Sequence, residues 1–174
     1  MLSKTIQRIL LSVLALILVL SAVVFIPIEK NFVFIDNREA KLAAFLEVEE
    51  DAFQIKYTHS IHLSEVLESY EVLPDNRIRM VELEYEDFNI GMPSNAGEGE
   101  VFVEKDGKYL ITNMNKEITE FRLFVGDVDA SLSFLSSNNE YDLKETLERG
   151  KSYTIKIKRV SLFEQLEGVN LNEQ

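Results

Sequence analysis

The sequence has no cysteine, no tryptophan and only two histidines among its 174 residues. The absence of cysteine excludes disulfides, thiolate catalysis, cysteine-ligated zinc sites and a lipid anchor on cysteine. No internal repeat or low-complexity tract is visible either. Stability must therefore come from packing alone.

Basic residues are scarce beside acidic ones. Of the 18 basic residues only Lys4 and Arg8 precede residue 29, whereas all 30 acidic residues lie after residue 28, so that part of the chain has a net charge of −14. Phosphate backbones repel such a domain, which excludes nucleic-acid binding. An acidic surface keeps an extracellular domain soluble, and it could also attract cations or a basic protein face.

Charge is absent from one long stretch, Ile9 to Ile28. As a helix it would be about 30 Å long, the thickness of the hydrocarbon core of a bilayer. Lys4 and Arg8 precede it, while acidic and amide residues dominate the segment on its C-terminal side. The positive-inside rule therefore places residues 1–8 in the cytoplasm and the rest of the chain beyond the membrane.

The competing interpretation of this stretch is a cleaved secretory signal. A signal has an apolar region of about 7–15 residues that ends at a small-x-small site, and the nearest such site, Val19-Leu20-Ser21, lies inside the apolar run. We therefore expect a retained single-pass anchor over 9–28 in the cell membrane, an extracytoplasmic domain over 29–166 and a frayed polar tail over 167–174.

Short segments that alternate apolar and polar residues dominate the outer domain. The clearest are Phe53 to Ser60 and Ser152 to Val160, and Asp106-Gly107 is a strong hairpin turn. We expect one continuous strand over 118–125 and a long irregular loop over 89–99. Many short strands with turns between them predict a mainly β fold, an antiparallel β-sandwich or open barrel after one N-terminal transmembrane helix.

His59 and Glu68 are the most unusual polar residues of this pattern. Each lies on the apolar face of its predicted strand, and a hairpin between the strands makes His59 or Tyr57 the residue opposite Glu68. A carboxylate there would favour the imidazolium form and orient the ring. The simplest interpretation is a buried, satisfied polar pair.

Two catalytic interpretations are weaker. The first has Ser60 as nucleophile, His59 as base and Glu68 as the group that orients the base. It would need the adjacent side chains of Ser60 and His59 to converge, and no Gly-x-Ser-x-Gly elbow exists. Zinc bound by His59, His62 and an acid lacks a His-x-x-x-His pair. The acidic clusters lack calcium-loop spacing. We therefore expect no metal, no cofactor and no enzyme activity.

The order of these residues resembles a small extracytoplasmic domain family of unknown function, whose members are encoded beside TRAP-type tripartite transporters of the TAXI class. Its first signature is aromatic-Thr-His-Ser, then a glutamate in the next strand, then aromatic-x-Val. The matching residues are Tyr57, Thr58, His59, Ser60, Glu68, Tyr70 and Val72. Its second signature is a Gly-Ala-Gly-Leu-Pro-like loop, whose end Gly91, Met92 and Pro93 match, while Asn89 and Ile90 depart from it.

The resemblance covers residues 32–165 and implies a partner rather than a reaction. We expect a non-catalytic accessory of a sodium-driven organic-solute transporter, in contact with the TRAP permease or its solute-binding protein. The alternative is a small-ligand or cation-binding module that uses the Asn89 to Gly99 loop together with His59 and Glu68.

Overall fold

The computed structural model describes residues 3–59, 63–86 and 92–173. It begins with helix α1, Lys4–Val24, which is capped by the Ser3 hydroxyl and has no buried residue. Its mean hydropathy of 2.4 and its length suffice to cross a membrane. The helix ends before the predicted Ile28 because Pro27 disfavours helical backbone at the residue that precedes it.

Thirteen strands among the described residues make up most of the remaining chain. They are β1 Glu29–Asp36, β2 Leu42–Glu47, β3 Ala52–Thr58, β4 Glu65–Val72, β5 Ile78–Tyr85, β6 Val101–Lys105, β7 Lys108–Thr112, β8 Lys116–Ile118, β9 Glu120–Val125, β10 Leu132–Ser136, β11 Asn139–Asp142, β12 Lys151–Val160 and β13 Val169–Asn170. The short helices are α2 Leu143–Thr146, α3 Leu162–Gln165 and a 3₁₀ helix Leu171–Glu173.

The strands form two sheets that pack as a sandwich, which confirms the predicted fold class. Sheet A has the order β13-β2-β1-β12-β9, and sheet B the order β11-β10-β3-β4-β5-β7-β6 with β8 also paired to β5. Neighbouring strands are antiparallel except β13 and β2. Aromatic rings from both sheets meet between them: Phe32 lies 4.9 Å from Phe53 and 5.1 Å from Phe134, centroid to centroid.

A β-bulge in β5 brings residues to the core that the sequence alternation separates. Tyr70 pairs with Met80 and Ser69 with Glu82, so Val81 is an extra residue. Strict alternation along β5 would place Ile78 on one face and Leu83 and Tyr85 on the other, yet all three are buried. The extra residue reverses the alternation halfway along the strand.

The predicted strand over 118–125 is wrong as one element, because it is two strands in different sheets. β8 pairs with β5 in sheet B, and β9 pairs with β12 in sheet A. The chain crosses between the layers at Thr119. This crossing places β9 at the edge of sheet A.

The C-terminal residues also differ from the expected frayed tail. Val169 and Asn170 add a parallel strand beside β2, and Leu171 is buried in the main core. Gly168 makes this possible, since a Cβ there would lie 2.9 Å from Leu42 Cγ. The tail is therefore part of the domain.

Candidate functional site

Glu68 lies on the inward face of β4, as predicted, and two tyrosines hold its carboxylate. Tyr57 Oη donates to Oε1 at 3.3 Å, and Tyr70 Oη donates to Oε2 at 2.5 Å. The β3–β4 register pairs Ile55 with Glu68, so Tyr57 is the diagonal cross-strand neighbour. Tyr70 lies two residues further along β4 and shares its face.

The Tyr70 ring is fixed by stacking. It lies 4.9 Å from the Phe53 ring and 5.5 Å from the Phe121 ring, both nearly parallel to it. This stack joins β3 and β4 of sheet B to β9 of sheet A. The stacking therefore directs the Tyr70 hydroxyl at Glu68, and the hydrogen bond is not needed to hold the ring in place.

Both tyrosines remain protonated across the physiological pH range. Burial, and then the charge and hydrogen bond of Glu68, raise the pKa of Tyr57 and of Tyr70 well above the ordinary tyrosine value. Their hydroxyl hydrogens are committed to Glu68. The lone pairs left on the carboxylate and the phenolic oxygens are therefore acceptors.

An open cavity of about 490 Å³ lies beside this carboxylate, between the two sheets. Tyr57, His59 and Glu68 line one wall. The facing wall comes from β9 and the loop after it, and much of it is apolar. It includes Phe121, Leu123, Phe124 and Val128.

Charged residues flank the cavity as well. Arg122, Asp127 and Lys144 contribute to its lining. Lys144 Nζ donates to the backbone oxygen of Val128 at 2.6 Å, which ties α2 to the β9–β10 loop. Glu68, on β4, is half-buried, whereas Arg122 and Asp127 are exposed.

The cavity is displaced from the anchor along the sandwich. Glu29, at the start of β1, pairs with Val160 at the end of β12. Phe121 and Phe124 pair with Ile155 and Ser152, five and eight residues before Val160. At about 3.3 Å per residue, these rings lie about 16 and 26 Å along the strand from the anchored end.

The predicted direct pairing of His59 or Tyr57 with Glu68 is wrong in register. Ile55 is the residue opposite Glu68, and the His59 backbone N–H donates to Ser64 O at 2.8 Å. His59 lines the same cavity but is four residues further along the chain than Ile55. The sequence does not determine how β3 and β4 are paired, because that register depends on the geometry of the segment that connects them.

The other signature residues have different roles. Thr58 Oγ1 lies 2.7 Å from Ser131 Oγ, a contact between β3 and the β9–β10 loop. The Pro93 carbonyl accepts a hydrogen bond from the buried Tyr85 hydroxyl. Ser60, His62 and Gly91 lie outside the described residues, as does the first part of the 89–99 loop.

The cavity wall opposite Glu68 was not found from sequence. The alternative ligand-binding interpretation used the 89–99 loop, but its described residues, 92–99, do not line the cavity. The alternation in β9 does group Phe121 and Leu123 on one face of the strand. It could not indicate that β9 faces β3 and β4, because strand neighbours in space depend on topology. Among the residues the structure describes, no group of three or more His, Asp or Glu side chains could hold a metal ion.

Fold and site together define a β-sandwich behind a candidate membrane-spanning helix, with a carboxylate–tyrosine cluster beside an open cavity. The chain belongs to the family described as a domain of unknown function (DUF1850), which matches residues 53–143. The matched segment includes Tyr57, Glu68, Tyr70 and β9. No curated protein and no solved structure matches the chain significantly.

Proposed function

We propose that the chain is a membrane-anchored, extracytoplasmic accessory protein that binds a small organic ligand in the cavity, with a cationic or donor-rich group of the ligand at Glu68. The observation that carries the proposal is the carboxylate held by Tyr57 and Tyr70 at the wall of an open 490 Å³ space. A cavity of this volume is in the range that holds small ligands.

The chemistry of the wall that carries Glu68 favours a cation over an anion. The oxygens of Glu68 and its tyrosines offer acceptors only, and the aromatic residues Tyr57 and Phe121 also line the cavity. Carboxylate and aromatic rings together recognise ammonium groups. We assign no chemical step to the site.

The proposal is tested with the full chain in phosphatidylcholine nanodiscs and isothermal titration of defined probes: a primary amine, choline, a zwitterionic amino acid and a dicarboxylate. We expect a probe with an ammonium group to bind and the dicarboxylate not to bind. Glu68→Gln should weaken binding about ten- to hundredfold, because a hydrogen bond to a charged group contributes about 1.5–3 kcal/mol.

The matched control is Glu65→Gln. Glu65 is exposed, lies on the same strand and points to the opposite face, so this variant should bind as the parent does. Selective binding of the dicarboxylate, equal loss in both variants, or no binding of any ammonium probe would contradict the proposal.

A second candidate function concerns the partner. The residues that resemble the TRAP-associated family signature, Tyr57, Glu68 and Tyr70, come together as one cluster. This supports an accessory role beside a TRAP-type transporter of the TAXI class. The displacement of the cavity from the anchor favours contact with the solute-binding protein over contact with the permease at this surface.

Photo-crosslinking in native membranes tests the partner. A photoreactive phenylalanine analogue at Phe124, an exposed cavity residue, should crosslink to a solute-binding protein. The control position is the exposed Glu104 on β6 of sheet B. Recovery of neither a permease nor a solute-binding protein with the intact protein would reject the transporter association and leave ligand binding to be judged by the titration.

The orientation has a separate test. Because the chain lacks cysteine, Glu104→Cys introduces a unique thiol. A membrane-impermeant maleimide added to intact cells should label it if the sandwich is extracytoplasmic. Labelling only after cell lysis would reverse the proposed orientation.

A further inference from the structure

We propose that α3 is a second membrane contact, whose apolar side chains insert into the bilayer interface beside the anchor and seat the sandwich on the lipid. The proposal goes beyond ligand binding and rests on α1 as the membrane span. The first observation is three exposed apolar side chains, two on α3 and one on Leu166, the residue that caps its C-terminus. Leu162, Phe163 and Leu166 are 51%, 44% and 81% exposed.

These side chains are continuous with the end of the anchor. The Phe163 ring lies 4.9 Å from the Phe25 ring, centroid to centroid. Phe25, Ile26 and Ile28 are themselves exposed. We call the six residues Phe25, Ile26, Ile28, Leu162, Phe163 and Leu166 the junction patch.

The length of the anchor places the junction patch at the lipid boundary. The apolar helical part from Ile9 to Val24 is about 24 Å long. The hydrocarbon core is about 30 Å thick. Phe25 and the residues just after it must therefore lie at the outer edge of the hydrocarbon, and Phe163 touches Phe25 at that level.

Polar contacts hold α3 in this position. Gln165 Nε2 donates to Glu29 Oε2 at 2.7 Å, and the Arg159 guanidinium donates to the Ile28 carbonyl. Ser161 and Glu164 form a capping box, and Lys158 Nζ lies 2.5 Å from Glu164 Oε1. The polar side of α3 is thus occupied by the domain, and its apolar side is left outward.

The proposed occupant is the apolar part of the lipid interface rather than anionic headgroups. The part of the chain after residue 28 has a net charge of −14, since Lys4 and Arg8 lie before it. Anionic lipid repels such a domain. Insertion should therefore occur in zwitterionic lipid and resist salt, because burial of apolar surface drives it.

The absence of tryptophan provides a direct test. Single-tryptophan variants Leu166→Trp, Phe124→Trp and Leu16→Trp of the full chain are placed in phosphatidylcholine nanodiscs, one chain per disc. Fluorescence is quenched either by brominated lipids or by aqueous acrylamide. Leu16 lies within α1. Phe124 is an exposed aromatic about 26 Å along the strand from the end of the sandwich that follows α1.

We expect brominated lipid to quench Leu166→Trp at least twofold more than Phe124→Trp, with the order reversed for acrylamide. The difference should persist in high salt and without anionic lipid. If Leu16→Trp is quenched by lipid while Leu166→Trp responds as Phe124→Trp does, α3 faces water or a protein partner and the proposal is wrong.

Two further outcomes also overturn it. Quenching of Leu166→Trp that requires anionic lipid would replace apolar insertion by headgroup binding. A Leu16→Trp variant that lipid does not quench would remove the span on which the proposal rests, without affecting the ligand titration.

Discussion

At the scale of single residues, Glu68 shows what the sequence could and could not predict. Alternation along residues 66–72 placed its side chain on the buried face, and the structure agrees. The sequence predicted His59 or Tyr57 directly opposite Glu68, whereas Ile55 is opposite it and the hydroxyls of Tyr57 and Tyr70 hold the carboxylate. The face of a residue depends on local periodicity, but its partner depends on register and on a turn.

Tyr70→Phe should destabilise the fold by about 1–3 kcal/mol, because it leaves the Oε2 atom of a half-buried carboxylate without the Tyr70 hydroxyl. The free energy of unfolding is measured by urea titration of the full chain in mild detergent. The control is Tyr141→Phe, which removes a hydroxyl bonded to Asn172 at an exposed site. Equal costs for the two variants would show that the carboxylate does not depend on Tyr70.

At the scale of elements, most strands were predictable and their sheets were not. Alternation and Asp106-Gly107 suffice to predict β12 and the β6–β7 hairpin. The bulge at Val81 and the crossing at Thr119 produce no recognisable sequence pattern, because both arise where one segment packs in two different environments. The β13 strand was missed because a two-residue strand is too short to show a period.

The β6–β7 turn has positive φ at both central residues, 54° at Asp106 and 79° at Gly107, as a type I′ hairpin requires. Gly107→Ala should therefore cost about 1–2 kcal/mol. Gly126→Ala is the matched control, because its Cβ would meet only ordinary contacts at 3.5 Å or more. Similar melting temperatures for the two variants would contradict the turn assignment.

The C-terminal segment should contribute measurably to stability. Leu171 is 1% exposed, so Leu171→Ala should cost about 2–5 kcal/mol through lost burial and the cavity left behind. Leu166→Ala, at an exposed position, should change the unfolding free energy in detergent by less than about 0.5 kcal/mol. A neutral Leu171→Ala would mean that the tail is frayed after all.

At the scale of the whole molecule, titratable groups bound the pH range of stability. Hydrogen bonds from the Arg38 backbone, Lys56 and Lys158 chiefly lower the pKa values of Asp36, Glu140 and Glu164 respectively. A carboxylate whose pKa is lowered in the folded state stabilises the fold at pH values above its unfolded-state pKa. This contribution disappears as the pH falls through the folded-state pKa. The raised pKa values of the buried tyrosines have the opposite effect at high pH.

Urea midpoints should therefore decline below about pH 4, where the unfolded chain binds protons that the folded chain resists, and again above about pH 10, where unfolded tyrosines ionise first. Asp36→Asn should lower stability at neutral pH and flatten the acid limb. An acid limb of unchanged slope in this variant would show that Asp36 does not contribute to it.

Only Phe25 to Ile28 separate α1 from β1. A four-residue connector extends at most about 14 Å. With α1 in a bilayer, the domain therefore stays next to the lipid surface. A partner held in the same bilayer would therefore meet it by diffusion in two dimensions, within a thin layer parallel to the membrane. The opening beside Glu68 is then held at a nearly constant distance from the bilayer, and the length of the connector sets that distance.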